Sequence, residues 1–274
     1  MAETRVVIVG VSGRMGQALV RVASEFPQVR ITGAVASAGS ASLSRDAGVL
    51  AGQAPMGIEV TGDLPAALAA ADVAIDFSQP YATRANIAAC RGARKPLVVG
   101  TTGFAADLTE AELDAAAGEI PLLIAPNTSL GVALLTELVR RAGRALPPEF
   151  DIEVIEAHHR TKRDAPSGTA LALARAAGEA RGLAPSEALS ATSGGRVGPR
   201  RDGEIGFAIV RGGDIVGEHT VLFAGLGEEL RLSHRAGDRA IFARGALRAA
   251  LWLLGRPPGR YGMSDIVHAD HALG

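Results

Sequence analysis

Residues 6–16 have the sequence VVIVGVSGRMG, and this stretch decides the fold of the chain. The β-branched run predicts a buried strand, and the glycines predict a tight turn into a helix. Gly10 allows the turn, Gly13 lets the backbone approach a pyrophosphate, and Gly16 lets the helix pack on the sheet. Ser12 occupies the second glycine slot of the usual pattern. The stretch predicts a dinucleotide site, and a purely structural strand–helix turn is the alternative.

Strand and helix signals alternate outward from this stretch through the first half of the chain. Pro80 occupies a first helical turn, which accepts proline, and Thr109 with Glu112 forms a capping box. This order predicts an α/β fold in which a doubly wound parallel sheet carries helices on both faces. The predicted strands are Arg5–Val9, Val29–Val35, Asp72–Phe77, Leu97–Val99 and Leu122–Ala125, and the predicted helices include Arg14–Phe26 and Asp63–Ala70, with Asp63 as the cap of the latter.

The pattern changes near Asn127, which predicts a second domain of α+β type. Three strand-like runs occur without intervening helices, which indicates an antiparallel sheet. The segment Gly182–Gly203 is rich in Gly, Ser, Pro and Arg, which is typical of a mobile loop. The predicted helices are Leu130–Leu146, Ser167–Arg181 and Asp238–Leu254, the last capped by Asp238, and the predicted strands are Ile152–Ala157, Glu204–Val210, Ile215–Phe223 and Glu229–His234.

Composition excludes several classes of protein. Apolar residues make up 47% of the 274 residues, which is enough for a packed core, and the formal net charge is −1. This balance gives no reason to expect nucleic-acid or membrane binding. The single cysteine, Cys90, allows no intrachain disulfide and falls in a helix-like run where buried packing is its expected role. No apolar run has the length of a membrane span, and the start of the chain does not resemble a signal peptide, so we expect a cytoplasmic protein.

The tip of the second predicted strand bears on the choice of cofactor. In many dinucleotide folds an acidic residue near this point binds the ribose hydroxyls. Here the strand ends at Val35 and is followed by Ala36 and Ser37, with no carboxylate at the tip. Ser37, together with Arg14 in the glycine turn, could hold a 2′-phosphate. We therefore expect NADPH or NADH as cofactor, with a slight preference for NADPH.

A basic segment with two histidines carries the strongest chemical signal. Residues 156–169 have the sequence EAHHRTKRDAPSGT, just past a predicted strand end. A helix beginning at Ser167 would close a cationic pocket with its N-terminus, which suits a small dicarboxylate. Lys162 offers a point charge, and Gly168 and Thr169 offer backbone N–H groups. A histidine here would deliver a proton near neutral pH.

Two alternatives remain for this basic segment. It could be a solvated loop whose histidines cap or pack, because isolated histidines are often structural. It could also bind zinc, but adjacent histidines lack helical spacing and no cysteine lies nearby, so we expect no metal.

These two segments together resemble the dihydrodipicolinate reductase family, whose enzymes are also called 4-hydroxy-tetrahydrodipicolinate reductases. The resemblance runs from Val6 to about Val267. The segment from His158 to Thr169 is highly specific to the family. Other matching stretches, in the family's order, are DFSQP at 76–80, GTTGF at 100–104, APNTSLGV at 125–132, RGGDIVGEHT at 211–220 and the run from Ser233 to Trp252.

The resemblance implies a Rossmann-type domain, residues 1–126 with 238–274, that binds the dinucleotide. It also implies a substrate domain with a mixed sheet, residues 127–237, through which subunits join into a homotetramer. The implied reaction is the NAD(P)H-dependent reduction of 4-hydroxy-tetrahydrodipicolinate to tetrahydrodipicolinate, in the biosynthesis of diaminopimelate and lysine. The substrate is a small cyclic dicarboxylate.

The resemblance also assigns residues. His158 matches the proton donor or acceptor of the family, and Lys162 matches its second proton donor. The expected substrate-binding residues are His159, Ser167, Gly168 and Thr169. The expected cofactor-binding residues are Gly10, Val11, Ser12, Gly13, Arg14, Met15, Ser37, Gly100, Thr101, Thr102, Ala125, Pro126, Asn127 and Thr128.

The chain departs from the family pattern at a few positions. Ala36 stands where an acid is common, Ser37 where some members have arginine, and Ala133 where asparagine is common. The first two leave the cofactor preference open. The glycine turn alone allows two alternative functions. The protein could be another nicotinamide dehydrogenase that acts on an amino or keto acid, or a non-catalytic dinucleotide sensor.

Overall fold

The computed structural model describes residues 3–104, 108–183, 200–201 and 203–269. Most of the predicted mobile loop, residues 184–199 and 202, lies outside the described residues. The chain divides into two compact units: unit 1 is Met1–Leu130 with Ala240–Gly274, and unit 2 is Gly131–Arg239. No helix in the described part of the chain is long and apolar enough to cross a membrane.

The elements are numbered in chain order. The strands are β1 (Thr4–Val9), β2 (Val29–Val35), β3 (Val60–Thr61), β4 (Val73–Asp76), β5 (Leu97–Val99), β6 (Pro121–Ile124), β7 (Asp151–His158), β8 (Ile205–Arg211), β9 (Gly217–Gly225), β10 (Glu228–Ala236) and β11 (Gly259–Tyr261). The helices are α1 (Arg14–Val22), α2 (Ala47–Leu50), α3 (Leu64–Ala69), α4 (Pro80–Gly92), α5 (Glu110–Ala117), α6 (Leu130–Ala145), α7 (Gly168–Ala180), α8 (Ala240–Leu253) and α9 (Met263–Ala269).

Unit 1 is built on a parallel sheet with the strand order β11-β6-β5-β4-β1-β2-β3. The predicted parallel α/β sheet is confirmed. Val7 and Val9 of β1 lie in a core with Leu68 of α3, Ile87 of α4 and Leu113 of α5. Each fully buried side chain of this size contributes about 2 kcal/mol to stability. The helices α1 and α8 pack against each other, and α8 also contacts β4, β5 and β6.

Local signals predicted most helix boundaries in unit 1. Asp63 caps α3, and Thr109 and Glu112 form the predicted capping box of α5. The predicted helix to Phe26 is wrong in its last turn, because α1 ends at Val22 and a 3₁₀ turn follows. Pro27 explains why Phe26 is not helical, since the residue before proline disfavours the α conformation. The final long helix begins at Ala240 rather than at Asp238.

Unit 2 contains a mixed sheet of four strands in the order β10-β9-β7-β8. β9 runs antiparallel to both β7 and β10, whereas β7 and β8 are parallel. The second domain was predicted to contain a mixed or antiparallel sheet, and the mixed form is confirmed; the antiparallel order that the run of strands indicated does not extend to β8. The helix α7 lies between β7 and β8 in the chain, and such a crossover is what a parallel pair requires.

One face of the unit 2 sheet is covered by helices. Leu135 of α6 and Leu173 of α7 pack with Val154 and Phe223 of the sheet. Side chains alternate across a strand, so the face of β7 that buries Val154 also buries Glu156 and His158. Two ionisable groups are thereby placed in the interior at the end of a strand.

Candidate active site

The glycine turn after β1 requires glycine at two positions. Gly10 has a φ of +83°, and a Cβ atom there would lie 2.4 Å from the carbonyl oxygen of Phe77. A Cβ atom on Gly16 would lie 2.3 Å from the carbonyl oxygen of Gly10. Ser12 does not have a positive φ, so serine in the second glycine slot costs no backbone strain.

The N-terminus of α1 is open to a ligand. Gly13 is the N-cap residue and no side chain caps the helix. Ser12, Gly13 and Arg14 are exposed, whereas Val11 is buried and Met15 is half-buried. The unpaired N–H groups of a first helical turn bind phosphate groups. The residues of this turn therefore fit the pyrophosphate of a dinucleotide.

The tip of β2 lies beside this turn. The N–H groups of Gly10 and Val11 donate to the carbonyl oxygen of Val35, at 2.8 and 3.1 Å. Ala36 is buried and Ser37 is exposed. The next acidic residue along the chain, Asp46, accepts backbone N–H groups from residues 49, 56, 57 and 58, which holds its pKa below the usual value. Its carboxylate is thus committed to the loop that it organises.

A buried aspartate organises the loop after β5. Asp76 is fully buried, and its side chain accepts hydrogen bonds from Asn86, at 3.0 Å, and from the Thr101 hydroxyl, at 3.3 Å. The N–H group of Gly100 donates to the Asp76 carbonyl oxygen at 2.8 Å. Thr102 is exposed. The predicted cofactor residues 100–102 are therefore held in a defined conformation at the end of a parallel strand.

The segment after β6 is also fixed within unit 1. Ala125 donates its N–H to the carbonyl oxygen of Val99 at 2.9 Å, and Pro126 is exposed. The Asn127 side chain accepts from the Ser129 N–H at 2.9 Å. The Thr128 hydroxyl is buried and donates to the carbonyl oxygen of Phe242 in α8.

The predicted cofactor residues of unit 1 share one edge of the sheet. Val9 pairs with Val35 and with Asp76, Asp76 pairs with Val99, and Val99 pairs with Ile124. The loops that follow these residues therefore leave neighbouring carboxyl ends of parallel strands, which is where dinucleotides bind in open α/β sheets.

A buried carboxylate, Glu156, lies at the centre of the candidate site in unit 2. Its Oε1 atom accepts from Nη2 of Arg211 at 2.8 Å and from the backbone N–H of Ser167 at 3.1 Å. Its Oε2 atom lies 2.8 Å from Nδ1 of His158 and 4.0 Å from Nε2 of His219. The His158 contact is close but not linear, since neither atom has a hydrogen-bond partner among the described residues.

The basic segment leads directly into α7. Ser167 is the N-cap residue, and its hydroxyl accepts from the Ala170 N–H at 3.1 Å and lies 3.0 Å from Nε2 of His219. Gly168 and Thr169 begin the helix. The backbone hydrogen bond from Ser167 to Glu156 thus connects the predicted substrate-binding residues of this helix N-terminus to the buried carboxylate.

The histidines of this cluster are held largely neutral. Burial lowers the pKa of His158 below its usual value, and Glu156 opposes that shift. Burial, and then His158, lower the pKa of His219 to about 4. Arg211 and Ser167 hydrogen bonds keep the pKa of Glu156 below its usual value despite burial. The cluster therefore contains one carboxylate, one guanidinium and two imidazoles near neutral pH.

The remaining predicted residues lie on the loop after β7. Nδ1 of His159 lies 2.8 Å from the Thr161 hydroxyl, and its Nε2 lies 3.4 Å from Nη2 of Arg239. Because arginine only donates, Nε2 of His159 is the acceptor in this contact. Lys162 pairs with Asp164. Lys162 therefore places the ammonium group predicted from the sequence on this loop, where it is paired with an acidic side chain.

Three of these groups could in principle hold a metal. One ligand atom each from Glu156, His158 and His219 lie within 4.8 Å of one another. However, Arg211 already neutralises the same carboxylate at 2.8 Å and would repel a second cation. We do not identify these residues as metal ligands.

Sequence reasoning missed Glu156, Arg211 and His219. They come from three different strands, and β-strand register brings them together: Glu156 pairs with His219, and His158 pairs with Arg211. The sequence of β7 did contain a signal for Glu156. Its apolar residues alternate along the strand, and Glu156 occupies a position that this alternation predicts to be buried, where an acidic side chain needs a partner.

A parallel sheet whose first strand–helix turn requires glycine, and leaves a helix N-terminus open, defines the dinucleotide-binding class of α/β proteins. The chain belongs to the dihydrodipicolinate reductase family, whose N-terminal model matches residues 4–128 and whose C-terminal model matches residues 131–267. The two matches meet close to the division between the two units.

Individual proteins show the same relationship. A 4-hydroxy-tetrahydrodipicolinate reductase of Anaeromyxobacter dehalogenans is 48% identical over 96% of this chain and 97% of that protein. One of Alkalilimnicola ehrlichii is 51% identical over 96% of this chain and 98% of that protein. In fold, the chain is similar to a dipicolinate-bound dihydrodipicolinate reductase of Paenisporosarcina sp. TG-14, with a TM-score of 0.77, 24% identity and coverage of 96% and 99%. An amine dehydrogenase of Mycobacterium smegmatis has a TM-score of 0.68 at 15% identity, covering 96% of each chain.

Proposed function

We propose that the protein reduces 4-hydroxy-tetrahydrodipicolinate to tetrahydrodipicolinate with NAD(P)H, a step of diaminopimelate and lysine biosynthesis. The observation that carries the proposal is the position of His158 beside Glu156, at 2.8 Å, in the same unit as Lys162 and the α7 N-terminus. The names of relatives that share about half of their residues with this chain support it.

The cationic segment of unit 2 binds the two carboxylates of the substrate. Lys162 supplies a point charge, and the N–H groups of Gly168 and Thr169 offer donors at a helix N-terminus. Ser167 fixes that helix end, and His159 provides a ring nitrogen toward the same loop. The dipicolinate described for the Paenisporosarcina reductase is a cyclic dicarboxylate, which supports this substrate class.

The chemistry is a dehydration followed by reduction of a conjugated imine. The bound nicotinamide supplies the hydride that the ring accepts. His158 supplies or relays a proton from Nε2, while its Nδ1 faces Glu156. Lys162 meets the negative charge that spreads toward the ring nitrogen and serves as the second proton donor. One water leaves, and the substrate gains one hydride and one proton.

The cofactor residues proposed in unit 1 are the turn from Gly10 to Met15, residues 100–102 and residues 125–128, together with Ser37. We propose a slight preference for NADPH. Ser37 and Arg14 are exposed on neighbouring loops, and no carboxylate follows β2 until the engaged Asp46. A ribose 2′-phosphate would meet no acidic repulsion at that tip.

A homotetramer is proposed from the uncovered face of the unit 2 sheet. Val210 on β8 is exposed, at 49%, and Ile155 and Leu222, which strand register places on the same face, are half-buried. An exposed apolar sheet face is a common place for subunits to join. The cytoplasmic location expected from the sequence stays a prediction.

A coupled assay tests the proposed activity. A coupling enzyme would supply 4-hydroxy-tetrahydrodipicolinate in the assay, and oxidation of the reduced nicotinamide would be followed by its absorbance. We expect turnover that depends on the substrate and on either nicotinamide. Turnover with an amino or keto acid instead, or cofactor binding with no turnover on any of these substrates, would refute the proposal.

A further inference from the structure

We propose that Glu156 is a positioning residue, whose carboxylate orients the His158 imidazole and fixes it relative to the N-terminus of α7. This inference rests on the proposed function, because that function makes His158 a proton donor and α7 a carboxylate-binding element. Glu156 itself is fully buried and contacts both groups, so it need not touch the substrate.

The two oxygens of Glu156 serve different partners. Oε1 accepts from the backbone N–H of Ser167, the residue that caps α7, at 3.1 Å. Oε2 lies 2.8 Å from Nδ1 of His158. The side chain of Glu156 is fully buried, so water does not compete for either oxygen. A single rigid carboxylate therefore sets the distance between the proton donor and the helix end.

The same contact selects the protonation pattern of the His158 ring. Two acceptor atoms at 2.8 Å would repel, so the short separation favours a hydrogen on Nδ1 even though the contact is not linear. Nε2 is then the nitrogen that gains and loses the exchangeable proton, as in other carboxylate-oriented histidines. Gly217 leaves room beside that atom, because a Cβ there would lie 3.1 Å from Nε2.

The charges that face His158 have opposite effects. Lys162 and Arg211 lower the pKa of His158, whereas Glu156 and Asp164 raise it, with Glu156 the larger of these two. The ring of His219 lies edge-on to His158, with the ring centroids 5.0 Å apart, and is neutral at pH 7. Glu156 is thus the main charge that keeps a buried His158 able to hold a proton.

Glu156→Gln tests the role in catalysis, because it removes the charge and keeps an oxygen for the Ser167 N–H. We expect kcat to fall on the order of tenfold or more, with the substrate KM within about threefold of wild type. The alkaline limb of the kcat profile, where His158 loses the proton that it donates, should move to lower pH. Glu153→Gln is the matched control, since Glu153 lies on the same strand and pairs with Arg200 instead. An unchanged kcat and pH profile for Glu156→Gln would overturn the proposal.

A second measurement does not require turnover. In ring-labelled protein, with the His158→Ala variant to assign the signal, we expect the titration midpoint of His158 to fall by about one pH unit in Glu156→Gln. In the wild-type protein, the neutral ring of His158 should be protonated on Nδ1. This measurement needs only the wild type, so it tests the inference even if Glu156→Gln does not fold. A neutral ring protonated on Nε2 in wild type, or an unmoved midpoint in the variant, would refute the inference. If the wild type shows the expected ring state without reducing the substrate, the proposed function fails and the pairing stands.

Discussion

Nζ of Lys162 lies 2.8 Å from both carboxylate oxygens of Asp164, two residues further along the same loop. The Lys162 side chain is 20% exposed, whereas that of Asp164 is 60% exposed. Hydrogen bonding to Lys162 holds the pKa of Asp164 below its usual value, so this carboxylate is charged at neutral pH. An anionic substrate that approaches Lys162 therefore meets a carboxylate already in place.

Asp164→Asn should strengthen substrate binding. Removing one negative charge beside Lys162 leaves the ammonium free for a substrate carboxylate, so we expect the substrate KM to fall about threefold, with kcat within about twofold of wild type. Steady-state kinetics at neutral pH, with Lys162→Ala as the opposite control, measures both constants. A raised KM would mean that Asp164 instead holds Lys162 in its binding orientation.

Replacing the proposed proton donor should damage the chemical step. His158→Ala should lower kcat about a hundredfold or more, because a positioned general acid contributes at least that much. The dissociation constant of the nicotinamide should not change, since the predicted cofactor residues lie in unit 1. His268→Ala, on α9 of unit 1, is the control and should keep its activity. A kcat near that of wild type in His158→Ala would remove His158 from the mechanism.

The buried His219 should make the protein less stable in mild acid. Its pKa is about 4 in the folded protein against 6.5 in the unfolded chain, so the unfolded chain binds more protons between these values. Stability from this group is therefore present above pH 6.5 and is lost as the pH falls toward 4. From pH 7 to pH 5 the loss is about 2 kcal/mol.

Denaturant unfolding of wild type and His219→Gln at both pH values measures this effect. Glutamine keeps a polar partner for Ser167 but does not titrate. The free energy of unfolding of the variant should fall less between pH 7 and pH 5 than that of wild type. Equal losses would show that His219 does not carry the pH dependence.

Cofactor preference should respond to a charge at the tip of β2. Ser37→Asp places a carboxylate where the ribose hydroxyls bind in NADH-specific folds. We expect the ratio of kcat/KM for NADPH to that for NADH to fall about tenfold or more, which corresponds to about 1.4 kcal/mol. Ser44→Asp, further along the same loop, is the control. A wild-type enzyme that strongly prefers NADH would contradict the proposed role of Ser37 and Arg14.

The glycine turn should tolerate no side chain at Gly16. A Cβ there would lie 2.3 Å from a backbone oxygen, so Gly16→Ala should destabilise the protein by about 2 kcal/mol or more and weaken nicotinamide binding. Gly92→Ala is the matched control, because a Cβ at the end of α4 would meet nothing within 4 Å. Thermal unfolding compares the two variants. Equal melting temperatures would show that the turn adapts.

Local signals predicted most of unit 1. The strand Val29–Val35, the Asp63 cap and the Thr109–Glu112 box depend on neighbouring residues, and the structure contains them as predicted. The short elements β3, β11, α2 and α9 were missed. Segments of two to seven residues carry too little periodicity to predict, and their conformation depends on the sheet edge or core that they join.

The site of unit 2 could be predicted only in part. The loop from His158 to Thr169 is continuous in the chain, so its cationic character and helix start were visible in the sequence. The partners of His158 were not, because Glu156, Arg211 and His219 meet through strand register. That register includes the parallel β7–β8 pair, which the run of strands did not indicate. The periodicity of a sequence predicts single strands, but it does not predict which residues of distant strands pair with one another.

The most direct test of the account is a transfer experiment with reduced nicotinamide deuterated at its hydride position. The wild-type protein, given substrate formed in place, should yield tetrahydrodipicolinate that carries one deuterium on ring carbon four, and His158→Ala should yield little of it. If the wild-type protein oxidised the nicotinamide but the tetrahydrodipicolinate carried no deuterium, the proposed reaction would be contradicted. The absence of any tetrahydrodipicolinate from wild type would contradict it as well.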